Sequence, residues 1–141
     1  MNTQIDFEQL AHVMGDGVVI SDASGKIVFW NQAAERIFGY SASEAMGKSL
    51  DMITPERFRE RHWEGYTKSM QTGITRYGST LLNVPALHKE GKALSIAFTV
   101  AILTNNDGMA QGIAAVVRDD TERFLTDRTM KMRIAELEAK T

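Results

Sequence analysis

A chain of 141 residues, 43% hydrophobic and 24% charged, is sized for one domain around one apolar core. Its net charge of −2 offers no basic footprint for nucleic acid, and the absence of any cysteine removes disulfides, thiolate metal sites, c-type haem attachment and cysteine nucleophiles together. The opening residues Met1-Asn-Thr-Gln-Ile-Asp6 lack a basic segment followed by an apolar one, and no apolar run approaches the ~20 residues that span a bilayer. A cytoplasmic module with no membrane contact is expected.

Phe7 to Met14 reads as a short amphipathic helix ending at Gly15. Gly17–Ser21 is a β-branched run, Asp22–Gly25 a turn and Lys26–Asn31 a second strand, together a hairpin. Gln32–Phe38 is a short helix closed by Gly39, and Ser41–Met46 a single turn closed by Gly47. A longer helix follows. Thr54 supplies a hydroxyl cap before Pro55 at its start, and Gly73 after Thr72 supplies its stop.

On that helix Phe58, His62, Tyr66 and Met70 recur every four residues and share one face, while Arg57, Glu60, Arg61, Glu64 and Lys68 fall mostly elsewhere. A histidine within an apolar face must find a partner or stay neutral, because burying an imidazolium is costly. A neutral imidazole aimed inward is also what a haem iron accepts as a proximal ligand. The competing reading is a core or rim histidine satisfied by a hydrogen bond.

The second half is β. Arg76–Lys89 is extended and interrupted by Pro85, which implies an edge position or a bulge. Glu90-Gly91 is a turn, Ala93–Leu103 a long alternating strand, Asn105–Gly108 a hairpin turn and Gly112–Arg118 the last strand. After Asp119-Asp120-Thr121 the pattern turns helical from Glu122 to Ala139, with the two acids read as its cap and Leu125, Met130, Ile134 and Leu137 as a partial apolar stripe. The element order gives an α+β fold, an antiparallel sheet with helices on one side.

The remaining residues have bland readings. Arg57, Arg59 and Glu60 read as a solvated helix face, and Trp30 and Trp63 as packing or dimer-surface aromatics. His12 and His88 read as exposed, and the eight methionines as adaptable core filler. No nucleophile elbow, P-loop, zincin or kinase signature is present, so no enzyme is expected.

The run Asn31-Gln-Ala-Ala-Glu-Arg-Ile-Phe-Gly-Tyr-Ser-Ala-Ser-Glu-Ala-Met-Gly-Lys48 and the closing Arg118-Asp-Asp-Thr-Glu-Arg123 resemble the PAS sensory domain family. The resemblance covers Phe7 to Arg123 and implies a five-stranded antiparallel sheet with a small-molecule pocket between its inner face and the long helix. It divides the chain into a sensor domain, 7–121, and a C-terminal linker helix, 122–141.

Within the family, Pro55–Gly91 is similar to the haem-binding, FixL-type gas-sensor branch, whose proximal histidine lies on the long helix in a setting that Arg61-His62-Trp-Glu-Gly-Tyr66 matches. That similarity implies b-type haem held by His62, with Tyr66 on the same face, Arg76 near a propionate, and Leu82, Phe98 and Val100 on the distal wall. Leu82 stands where the branch has its distal arginine, and Thr80 near where related phosphodiesterases have a methionine ligand. The pocket is then apolar and favours CO or NO over O₂, or it holds no haem. A light-sensing flavin would need an adduct-forming cysteine, so flavin is not expected. The alternative to a gas or redox sensor is a cofactor-free interaction module or a sensor of another small ligand. Either one expects a parallel homodimer through the tail, with Phe7–Met14 packing beside it, and a separate output partner. A tail folded back on its own sheet is the opposing arrangement.

Overall fold

The computed structural model describes residues 3–75 and 80–140. Its elements run α1 (Phe7–Val13), β1 (Gly17–Asp22), β2 (Ile27–Trp30), α2 (Gln32–Phe38), α3 (Ala42–Ala45), a 3-10 turn (Leu50–Ile53), α4 (Glu56–Thr72), β3 (Leu82–Leu87), β4 (Ala93–Thr104), β5 (Ala110–Asp119) and α5 (Thr121–Ala139). The strands form one antiparallel sheet in the order β2-β1-β5-β4-β3. The first and last parts of the chain therefore meet at its centre, where β1 pairs with β5. Pro85 lies on β3, an edge strand, where a missing N–H is tolerated.

Side-chain alternation sets which face is buried. The register aligns Leu82 with Phe98, Phe98 with Val117, and Val117 with Gly17 across the sheet, so these residues share its inner face. Val100 with Ala115 and Val19, and Ile102 with Ile113 and Ser21, continue it. Against this face pack Trp30, Ala34, Phe38 and Leu50, with the Trp30 and Phe38 rings 5.3 Å apart and the indole N–H donated to the Tyr40 carbonyl.

Two polar side chains organise the N-terminal half. The Asp22 carboxylate accepts the Ser24 N–H, the Ser24 hydroxyl and the Lys26 N–H, closing the β1–β2 turn. These bonds hold its pKa below the ordinary carboxylate range, the Ser24 hydroxyl first. Asn31 caps α2 and joins it to α1 and β1.

Several sequence expectations need correction. The extended stretch expected over Arg76–Lys89 is a strand only at Leu82–Leu87, and residues 76–79 lie outside the described set. His12 and His88 are half-buried rather than exposed: His12 lies 4.6 Å from the Phe29 ring, and His88 packs against Gly39, which has no side chain to obstruct it. Met46, Met109, Met130 and Met132 are exposed and do not fill the core. Asp119, not Asp120, accepts the Thr121 N–H at the start of α5, because Asp120 occupies the N-cap position without a side-chain bond. α5 does not fold back. Every residue from Glu122 to Lys140 is exposed, and α1 lies against α2 and Phe29.

One surface pair gives an acid-side prediction. The Lys89 ammonium sits 2.6 Å from Glu44 Oε2 and, with the Ser41 N–H, holds the Glu44 carboxyl at about 2 instead of 4.5. A carboxyl depressed on folding contributes stability above its unfolded value, and that contribution is lost as pH falls through the folded one. Lys89→Met is therefore expected to flatten the decline in stability between pH 4.5 and pH about 2, read from urea midpoints across that window. Both partners are solvent-exposed, so salt should weaken the effect.

Candidate ligand site

α4 crosses the inner face, and its approach is fixed by the 3-10 turn before it. Pro55 occupies the N-cap position without a side-chain bond, so the Thr54 hydroxyl does not cap the helix. It donates back to the Leu50 carbonyl instead. Arg59, read from sequence as solvated, donates Nε to the Thr54 carbonyl and a terminal nitrogen to the Asp51 carbonyl. Its long stem brings a charge from the helix onto two backbone carbonyls of the short turn, one of which, that of Asp51, also accepts the Thr54 N–H. The far end stops at Gly73 with φ 71°, as the glycine after Thr72 predicts.

Three aromatic side chains then define what α4 presents. Trp63 donates its indole N–H to Asp51 Oδ1 at 2.7 Å and lays its ring over Gly25 in the β1–β2 turn. Tyr66 is buried, its hydroxyl donating to the Asp22 carbonyl and lying 2.8 Å from Ser21 Oγ. Burial pushes the Tyr66 phenol up, with Ser21 opposing.

His62 completes a triangle with these two, its ring centroid 4.7 Å from Trp63 and 5.8 Å from Tyr66, which are 5.3 Å from each other. Its Nδ1 is buried and has no hydrogen-bond partner. Burial pushes the imidazole pKa down, while the Asp51 carboxylate pulls the other way. The neutral ring results. Met70 also packs toward the core, so the face Phe58, His62, Tyr66, Met70 is turned inward along its length.

The sheet opposite is apolar and incompletely covered. Leu82 and Phe98 are paired neighbours, and Val100 lies two residues further along β4 on the same face. These three, with Ile113 and Ala115 of β5, are only half-buried, whereas Leu94, Ile96 and Val117 on the same inner face are buried. Arg76 lies outside the described residues. A separate recess of about 530 Å³, lined by Pro55, Arg57, Pro85 and Leu87, sits at the start of α4 and does not reach His62.

Sequence reasoning placed His62 and Tyr66 on the inward face but missed Asp51, Arg59 and Ser21. Ser21 had a usable signal, since alternation along β1 puts it on the same face as Val19. Among the described residues no cluster of three or more histidine or carboxylate side chains could hold a metal ion. A lone imidazole holds a metal only if the other donors arrive with it, as in a porphyrin, and a neutral ring on the inward face of α4 suits that chemistry.

Residues 5–120 match the family model described as the PAS fold. An uncharacterized protein of Azorhizobium caulinodans is 31% identical over 120 residues, covering 82% of this chain and 16% of that protein. The sensor protein FixL of Bradyrhizobium diazoefficiens is 38% identical over 71 residues, half of this chain and 12% of FixL. The oxygen sensor protein DosP of Escherichia coli is 24% identical over 119 residues, 84% of this chain and 15% of DosP. The matched region is thus a small part of each curated relative. Among solved structures, the PAS domain of a Colwellia psychrerythraea protein superposes with a TM-score of 0.72 at 22% identity, covering 82% of this chain and 95% of that one. An RNA-binding light-oxygen-voltage receptor also gives 0.72 at 19% identity, with 95% and 37% covered. At these identities the likeness is one of fold.

Proposed function

The chain belongs to the PAS family, and from that premise we propose that it is a sensor that takes a b-type haem between α4 and the sheet, with His62 Nε2 as proximal ligand. The carrying observation is the half-buried His62 imidazole, kept neutral by burial, on the face of α4 that Tyr66 shares and opposite the half-buried apolar side chains Leu82, Phe98 and Val100. Partial matches to FixL and DosP support it. When bound, the haem supplies an iron that takes a diatomic gas or changes redox state. The chain supplies the rest. Trp63 and Tyr66 pack beside the imidazole and orient it, and Arg76 would meet a propionate through a charge-assisted bond. Leu82, Phe98 and Val100 carry no donor, so the slot disfavours a ligand that develops negative charge and selects CO or NO over O₂.

Haemin titration tests this directly. The full chain should develop a Soret band, and His62→Ala should lose it while keeping its far-UV circular dichroism. No uptake by either protein, or the same band in both, would overturn the assignment.

A second reading, a cofactor-free interaction module or a sensor of another small ligand, is favoured by the Tyr66 hydroxyl, which already ties α4 to β1. We propose no catalytic role, and a cysteine–flavin adduct has no residue to form on. Among the described residues no helix is long and apolar enough to cross a membrane, which fits the cytoplasmic setting we propose.

Assembly is proposed through α5. Its apolar residues form two groups: Phe124, Leu125 and Met132 on one side, Met130, Ile134 and Leu137 on the other. Leu125 therefore leaves the stripe expected from sequence. A parallel homodimer would bury the second group beyond the sensor domain and pass a change at Asp119-Asp120-Thr121 to an output partner. Sedimentation should show a dimer for the full chain and a monomer for a truncation ending at Arg123. Two monomers, or two equal dimers, would exclude the tail as the seam.

A further inference from the structure

α4 packs its apolar face on β4 and β5, but its hydrogen bonds to the sheet are on one side only. Tyr66 reaches Ser21 and Asp22 at the end of β1, and Trp63 covers Gly25 three residues beyond Asp22. Both grip the same β1–β2 turn. Among the described residues no hydrogen bond or ion pair joins α4 to β3, β4 or β5, and there Leu82, Phe98, Val100, Ile113 and Ala115 are only half-buried, although Leu94, Ile96 and Val117 are buried. The helix also carries Gly65 at its middle with nothing within 4 Å of where a Cβ would stand, a residue that weakens a helix without serving packing.

We propose that α4 is a flap hinged on the β1–β2 turn, with the Tyr66 hydroxyl as its latch. Releasing the latch lets α4 lift from β3–β5 and at the same time loosens β1 from β5. The second effect follows from where the latch sits. Ser21 pairs with Ile113, and its hydroxyl lies 3.5 Å from the Ile113 carbonyl. The neighbouring pair is Asp22 with Gly112, where the absent side chain lets the Ser21 carbonyl approach. The other end of this strand pair carries the Arg118–Asp16 ion pair and leads directly into α5. A latch on Ser21 therefore acts on the two strands that launch the tail. The device needs no particular occupant and does not depend on haem.

Ser21 is 3% and Tyr66 6% exposed, so water cannot replace the lost bond cheaply when either partner is removed. Hydrogen exchange read by mass spectrometry on the full chain tests the flap. Tyr66→Phe should speed exchange across 56–72 and 17–22 by ~10-fold, with the β3–β4 hairpin unchanged. Ser21→Ala should give the same pattern to a smaller extent, because the Tyr66 hydroxyl keeps its bond to the Asp22 carbonyl, and the double variant should be no faster than Tyr66→Phe alone, which already removes both bonds. Unchanged exchange in α4 would overturn the proposal. So would a uniform rise over all segments, or additive effects in the double variant.

Discussion

Replacing Asn31 by alanine is expected to remove roughly 3–5 kcal/mol of stability, a large share of the ~5–15 kcal/mol that a domain possesses. The side chain is 0% exposed and every one of its hydrogen-bonding sites in use is internal. Oδ1 accepts the Val18 N–H and the Ala34 N–H, each at 2.9 Å. Nδ2 donates to the Ala11 carbonyl at 2.7 Å and the Asp16 carbonyl at 3.0 Å. One amide thus caps α2, holds the start of β1 and ties down the end of α1. Alanine leaves two buried donors without an acceptor and takes away the cap, which alone is worth ~1 kcal/mol. Urea unfolding followed by tryptophan fluorescence would read the loss, because Trp30 is in the core next to Asn31.

Asn31→Asp separates the two halves of that role. It keeps the acceptor for Val18 and Ala34 but turns a second oxygen toward two carbonyls. The carboxyl should then be harder to ionise in the folded state than in the unfolded chain. A group with a raised folded pKa is destabilising above that value and relieved below it, so this variant should gain stability relative to wild type on acidification. A variant that tracked wild type at every pH would show that the donor half of the amide contributes nothing.

The sequence made some of this architecture visible and hid the rest for definable reasons. The alternation of Leu94, Ile96, Phe98, Val100 and Ile102 is a period-two signal that survives without tertiary context, and Pro85 marks an edge because it lacks a donor. Gly39 and Gly73 close their helices at φ 82° and 71°, a backbone state that glycine adopts without strain. The 3-10 turn at Leu50–Ile53 gave no such sign, since four residues are too few to show a period. Arg59 misled because a helical wheel assigns a face and takes no account of a guanidinium reaching along the backbone. In the tail, Leu125 to Met130 is five residues, about 500° of rotation, which puts them on nearly opposite sides.

The ligand side of α4 shows the same division. His62 and Tyr66 share a face by spacing alone, which sequence reveals. What surrounds His62 depends on Asp51 eleven residues earlier and on a glycine in another hairpin, and nothing local encodes either. Tyr66 and Ser21 are 45 residues apart and meet only because β1 and α4 pack together.

That glycine carries the other large expected effect. Gly25→Ala should cost about 3 kcal/mol or more, from two sources that can be separated. Gly25 has φ 85°, where an alanine is strained by about 1–2 kcal/mol. Its Cβ would also stand 2.1 Å from the Trp63 ring. That ring is not free to swing away: its N–H is held by Asp51 at 2.7 Å, and it makes T-shaped contacts with His62 and Tyr66 at centroid distances of 4.7 and 5.3 Å. Displacing it gives up a half-buried hydrogen bond and the packing around His62, another ~1–3 kcal/mol. Gly47 and Gly91 supply the control, because they have φ 81° and 87° with nothing within 4 Å of a Cβ. Gly47→Ala and Gly91→Ala should each lose only the conformational strain. The excess at Gly25 then measures how firmly Trp63 is held, and it should fall away in a Trp63→Ala background. If Gly25→Ala cost no more than Gly91→Ala, the indole would be yielding freely and could not be what positions His62.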